Sequence, residues 1–202
     1  MLRALDHVIY VSADLEETVA DYRHRGFTVT PGGDHTNGLS YNQLIGFSDG
    51  AYLELVGFHD LANAHGKHNW APVAEAGGGW ADFALLSDDF ATDVKALRPL
   101  VTRGPEKGGR VKPDGVGIGW NIAFLEKPLP FLIEDLTPRE LRVPSGVAAQ
   151  HPNGTKGIAR VIVGATDPPG AAKKYEALAA RGAPAIEFRK SERDGLMLVL
   201  FD

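Results

Sequence analysis

The chain has 202 residues with 26 acidic and 21 basic side chains, a formal charge of −5, and no run of like charge. It therefore lacks the basic footprint that nucleic acid or an anionic membrane surface demands, and a small-molecule partner is expected. The absence of cysteine excludes disulfide scaffolds, thiolate metal sites and a cysteine nucleophile, leaving His, Asp and Glu as the strong side-chain metal ligands. The first apolar stretch is interrupted by Asp6 and His7 and no run of 18 apolar residues occurs, so a cytoplasmic protein without a secretory leader or membrane span is expected.

In chain order, Leu5 to Val11 predicts a strand, followed by a helix capped by Asp14 with Glu17 three residues on and Leu15, Val19 and Tyr22 on one face. Gly26 suits the left-handed residue that ends that helix. Phe27 to Thr30, Tyr41 to Phe47 and Tyr52 to Phe58 read as strands, the last two joined through the hairpin signal Ser48-Asp49-Gly50. Short helices at Leu61 to Ala64 and Pro72 to Ala76 precede the breaker Gly77-Gly78-Gly79. Trp80 to Leu86 predicts a strand and Asp89 caps a helix with Phe90, Val94 and Leu97 on one face. Arg103 to Pro113 falls outside the strand and helix plan, whereas Gly117 to Leu125 and Phe131 to Leu136 read as paired strands. Thr137 to Lys156, with Pro138, Pro144 and Pro152, reads as an extended linker. After it come a strand at Ile158 to Ala165 and a helix opened by Asp167-Pro168-Pro169 with Ala171, Tyr175 and Leu178 inward. Two final strands, Ala185 to Lys190 and Leu196 to Phe201, turn through Arg193-Asp194-Gly195.

The three capping aspartates lie 75 and then 78 residues apart, each behind an apolar strand and ahead of a helix. Such a period marks an internal repeat. The expected class is α+β: repeated βαβββ modules forming a curved, mainly antiparallel half-barrel sheet with helices outside. The boundaries are 1–58 for the first module, 59–79 for a connection, 80–136 for the second module, 137–156 for the linker and 157–202 for a third, partial βαββ module. One strand short, that third copy makes a homodimer plausible as a way to close the sheet.

Several stretches resemble a known family. Leu5-Asp6-His7-Val8-Ile9-Tyr10-Val11, Gly26 to Gly33 with His35, Asp49-Gly50-Ala51-Tyr52-Leu53-Glu54-Leu55, Arg110 to Gly115 and Leu129 to Glu134 are similar to the glyoxalase-like branch of the vicinal oxygen chelate superfamily. That superfamily includes glyoxalase I, bleomycin resistance proteins and extradiol dioxygenases. The resemblance implies a concave pocket in which first and last strands of each module supply ligands to a divalent metal (Zn, Ni, Mn, Fe or Mg) that the substrate chelates through two oxygens. It places His7 and Glu54 as ligands from the first module. Asp82 and Glu134 are their candidates in the second, with Ile133 the alternative if the register slips by one.

His7 and Glu54 stand in apolar strands, where a carboxylate is costly unless paired or bound to a cation. A metal-free His7–Glu54 hydrogen bond and a shared divalent ion both satisfy that constraint. His35, in the loop after Pro31-Gly32-Gly33-Asp34, is the candidate third ligand or proton-transfer group, with Glu54 the other catalytic candidate. Arg110, Asp114 and Trp120 are pocket-lining candidates for substrate binding. Arg160 occupies the ligand position of the third copy, where a cation suits a substrate carboxylate or a structural ion pair. His59, His65 and His68 read as a solvated segment. Two functions remain: a metal-dependent lyase or isomerase, or a metal-free small-molecule binding protein of the bleomycin-resistance type. A dioxygenase needs two histidines and a carboxylate, and survives only if His35 replaces the missing second-module histidine.

Overall fold

A computed structural model describes residues 1–202. The first half of the chain contributes β1 (Leu2–Val11), α1 (Leu15–His24), β2 (Thr30–His35), β3 (Ser40–Gly46) and β4 (Tyr52–Phe58), followed by the short helices α2 (Leu61–Ala64) and α3 (Ala71–Glu75). The second contributes β5 (Gly79–Ser87), α4 (Phe90–Ala96), β6 (Val101–Val111), β7 (Gly117–Leu125) and β8 (Phe131–Asp135). These eight strands run β1-β4-β3-β2-β6-β7-β8-β5 around a barrel. The two halves join along β1 and β5, antiparallel over most of their length. On the opposite side only Asp34 and His35 of β2 pair with Val111 and Arg110 of β6, so the curved sheets of the two halves meet at a narrow seam. No helix is long and apolar enough to cross a membrane.

The capping logic is visible in the three helices of the repeat: Asp14 accepts from the Glu17 N–H at 3.0 Å, Asp89 from Thr92 and Asp167 from Gly170. Leu15, Val19 and Tyr22 of α1 pack on Leu53 and Leu55 of β4, while Tyr52 and Glu54 of the same strand face the barrel interior. Burial on both faces accounts for the almost wholly apolar strand. The third copy, β9 (Ile158–Ala165), α6 (Pro168–Ala179), β10 (Glu187–Lys190) and β11 (Gly195–Phe201), forms its own three-stranded sheet in the order β10-β9-β11. Its Val161, Val163, Leu196 and Val199 close the outer core over Phe27, Phe47 and Phe83.

Three local expectations are corrected. Arg103 to Pro113, expected outside the strands, is mostly the eleven-residue β6; its glycines and charges hide a strand held by pairing with β7. The strand expected at Phe27 to Thr30 starts at Thr30 and runs to His35. The segment 137–156 is docked rather than extended, with a helix α5 (Arg139–Arg142), a 3-10 turn at Gly146–Ala149, and Arg142, Val143, Ala149 and His151 buried. Its carbonyl at Pro144 lies so near Gly46 that a Cβ there would stand 2.5 Å away.

His151 fixes this segment to β3. Its Nδ1 accepts from the Thr28 N–H at 3.0 Å and its Nε2 faces the Gly46 carbonyl at 2.9 Å, an arrangement only the neutral ring with the proton on Nε2 satisfies. Burial lowers the His151 pKa below 6.5, so the unfolded chain takes up the proton first. The stabilisation is complete above about pH 6.5 and is lost as pH falls below it. Urea unfolding at pH 7.5 and 5.5 should show a smaller stability loss for His151→Gln than for the wild type; equal losses would mean His151 does not couple folding to pH.

Candidate functional site

The site begins with an irregularity in β1. Leu5 pairs with Leu85 and His7 with Ala84, so Asp6 is an extra residue, a bulge that re-aims its neighbours. Simple alternation would put Leu5 on the His7 face; instead Leu5 packs in the outer clusters while His7 lines the barrel cavity. The bulged Asp6 is completely buried and accepts four hydrogen bonds. Arg142 contacts it through two nitrogens at 2.8 Å each, Arg139 Nη1 at 2.6 Å and His7 Nδ1 at 2.5 Å. Burial would raise the Asp6 carboxyl, but the charge and hydrogen bonds of Arg142, with those of His7, hold it well below 3.8. The same arginines bind Asp135 at the end of β8, and Arg142 Nη1 donates to the Tyr52 hydroxyl at 2.8 Å.

Because His7 Nδ1 is committed to Asp6, its Nε2 is the atom presented to Glu54, 3.4 Å from Oε2. Tyr52 stacks on the imidazole at 4.6 Å and Phe131 meets it edge-on at 5.5 Å. On the other side of Glu54, His35 Nε2 stands 3.2 Å from Oε1 and Asn42 Nδ2 donates to Oε1 at 2.6 Å. His35 Nδ1 in turn contacts Ser40 Oγ at 2.9 Å. Burial would raise the Glu54 carboxyl; the hydrogen bonding and charge of His35, the charge of His7 and the Asn42 amide hold it down to about 2. A neutral His7 carrying its proton on Nδ1 would turn a bare lone pair toward Glu54, so a proton or another cation is needed between them.

Above this floor lies a cavity of about 470 Å³, within the range for small-molecule sites. Trp70, Ile122, Phe124, Phe131 and Ile133 form its apolar wall, and Trp120 lies over Gly108, where a Cβ would stand 2.1 Å from its Nε1. Arg110 lines the cavity yet is buried, donating Nη2 to the Arg142 carbonyl at 2.6 Å. His68, expected in a solvated segment, lines it too; burial and the charge of His35 push its pKa down to about 4.

Five candidate residues, His7, Glu54, His35, Arg110 and Trp120, therefore share one cavity. The other four do not line it. Asp82 is bound by Lys127 Nζ at 2.6 Å and Glu134 accepts from Asn121 at 2.8 Å. In β8 it is Ile133 that lines the cavity, so the open register resolves in favour of Ile133 over Glu134. Asp114 is exposed in the turn between β6 and β7, paired with Lys112, and Arg160 is exposed and faces Glu187. Two histidines and one carboxylate are the ligand types of a facial metal triad, and each histidine has its outer nitrogen held by Asp6 or Ser40 as metal-binding imidazoles do. As arranged, His7, Glu54 and His35 contact one another and do not form a cluster with the geometry of a metal site, so the fit is one of donor chemistry, with the second half of the barrel supplying no ligand.

The glyoxalase-like domain model matches residues 5–179. The chain belongs to the glyoxalase-like domain family. No curated protein matches its sequence. Among solved structures, a hypothetical protein from Staphylococcus aureus matches with TM-score 0.71 and 15% identity over 95% of this chain and 87% of that one. The E43Q variant of Streptomyces coelicolor methylmalonyl-CoA epimerase in complex with 2-nitronate-propionyl-CoA matches with TM-score 0.50 and 20% identity, over 68% of this chain and 100% of its own. A hypothetical protein from Bacillus halodurans gives TM-score 0.50 at 12% identity, over 66% and 95%. At these identities the structural likeness concerns the fold.

The charge network makes a quantitative demand on this family member. Asp6→Asn removes one partner of a buried ion pair and leaves Arg142 short of a counter-charge, which should cost about 3–5 kcal/mol in urea unfolding. A cost under about 1 kcal/mol would show that Asp6 does not anchor the site.

Proposed function

We propose that this glyoxalase-like protein is a cytoplasmic enzyme of the lyase or isomerase type that binds a small oxygen-rich molecule in the barrel cavity and moves a proton next to a carbonyl. The observation that carries the reading is the buried Glu54 between His7 Nε2 and His35 Nε2 at 3.4 and 3.2 Å. A divalent cation held by His7 and Glu54 would polarise a substrate oxygen and stabilise enolate charge, leaving His35 free for proton transfer. Glu54 stays ionised, since the flanking imidazoles and Asn42 hold its carboxyl at about 2. His35, partly solvent-reachable and backed by the rotatable hydroxyl of Ser40, is placed to carry the proton between Glu54 and solvent. His7 keeps a fixed orientation because Asp6 holds its Nδ1. Trp70, Phe124 and Phe131 exclude water from one side of the bound molecule.

A second reading, a metal-free binding protein, draws support from the one-sided donor set: Ile133 stands in β8 where Glu54 stands in β4, and Asp82 is engaged by Lys127. The two part under one experiment. A panel of α-hydroxyketones, 2-oxo acids and thioesters is incubated in D₂O with and without Mn²⁺, Ni²⁺ or Zn²⁺, and α-carbon exchange is followed by NMR. The enzyme reading expects exchange on at least one class, reduced about 10²–10⁴-fold in Glu54→Gln. Saturable binding with no exchange under any metal condition would favour the binding protein.

A further inference from the structure

Arg110 is the one buried cation of the cavity without a carboxylate partner. It is 2% exposed, its single hydrogen bond goes to a backbone carbonyl, and its Nε has no partner. Arg142, by contrast, is neutralised by Asp6 and Asp135. A buried guanidinium left unpaired is expensive, and burial lowers the Arg110 pKa accordingly. The rim repeats the imbalance. Lys107 makes no ion pair and Lys67 contacts only the Asn63 amide oxygen, while the cavity's two acids already have basic neighbours, Glu54 in the histidines and Glu106 in Arg103.

We infer that the cavity selects organic acids: an anionic group, a carboxylate in the first instance, is received by Arg110 while an apolar or aromatic body lies against Trp70, Trp120, Phe124 and Phe131. This deepens the reading of the cavity as a substrate site and rests on it. Guanidinium is suited to the task because its planar donors match a carboxylate. Lys67 and Lys107 add a positive entrance that attracts an anion from a protein whose net charge is −5. Bound to Arg110, the acid group supplies the missing counter-charge and leaves the remainder of the molecule to meet Glu54.

Phenylacetate and its neutral counterpart phenylacetamide are the probes, and the tryptophan emission of Trp70 and Trp120 reports their binding. The wild type should bind the acid at least about tenfold more tightly than the amide. Arg110→Gln should lose that preference and Arg110→Lys should retain part of it, with circular dichroism checking that each variant is folded. Equal binding of acid and amide by the wild type, or no saturable response to the acid, would overturn the proposal without any variant being needed; so would unchanged preference in both variants. Acid-selective binding with no α-carbon exchange would sink the isomerase reading and keep the anion site. Exchange on neutral carbonyl compounds as fast as on acids would do the reverse.

Discussion

The structure depends on a carboxylate in an unusual place. Asp6 sits inside a strand, fully buried, where an ionised side chain is tolerated only if every lone pair is engaged. Its four hydrogen bonds come from three residues, His7 of β1 itself and Arg139 and Arg142 of α5, more than 130 residues away in sequence. One ionised group thereby holds the 137–156 segment against the barrel and chooses which nitrogen of His7 faces the cavity. Through Arg142 the same network fixes the Tyr52 hydroxyl and, through the Arg142 carbonyl, the Arg110 guanidinium. The floor of the cavity is therefore positioned from behind by charge, and from the sides by aromatic stacking.

The barrel is built twice and equipped once. His7 pairs with Tyr52 across β1 and β4, and the corresponding pair across β5 and β8 is Ala84 with Phe131. Ile9 with Glu54 corresponds to Leu86 with Ile133. The backbone repeats while the polar residues of one half become apolar residues in the other. The result is a cavity with a polar wall that contains every titratable group of the Glu54 cluster and an apolar wall opposite, the division the proposed organic-acid ligand would need.

The fold was largely legible in the sequence because its signals are local. The aspartate caps, the apolar stripes of α1, α4 and α6 and the Asp49-Gly50 hairpin all lie within a few residues of what they specify. β6 was hidden because its glycines at 104, 108 and 109 and its charges serve the barrel seam and the indole of Trp120 rather than strand propensity. For the site, His7, Glu54, His35, Arg110 and Trp120 were recognisable by residue type in the wrong surroundings or by resemblance. Asp82 fits the same pattern of a buried acid in an apolar strand, and only the position of Lys127, 45 residues on, removes it. Asp6 and Arg142 were missed altogether. Period-two alternation cannot register a bulge, and a buried arginine in a proline-rich segment looks like a solvated one; an Asp-His dipeptide inside an apolar strand was the available signal.

Saturation separates the residues that position the site from those that face the cavity. A side chain that touches a ligand must be left incompletely satisfied in the ligand's absence, whereas one that positions others must be saturated. Asp6 and Arg142 are saturated, and Arg110 is not. Glu54 lies between these limits: its oxygens are engaged by Asn42 and two imidazoles, yet at 3.2 and 3.4 Å the imidazole contacts are loose enough for a cation or a proton to redistribute among them. Rigid support behind, unsatisfied charge at the wall and a loosely held carboxylate between them are what the proposed function requires, in which binding energy at Arg110 would be used to place a carbon–hydrogen bond against Glu54.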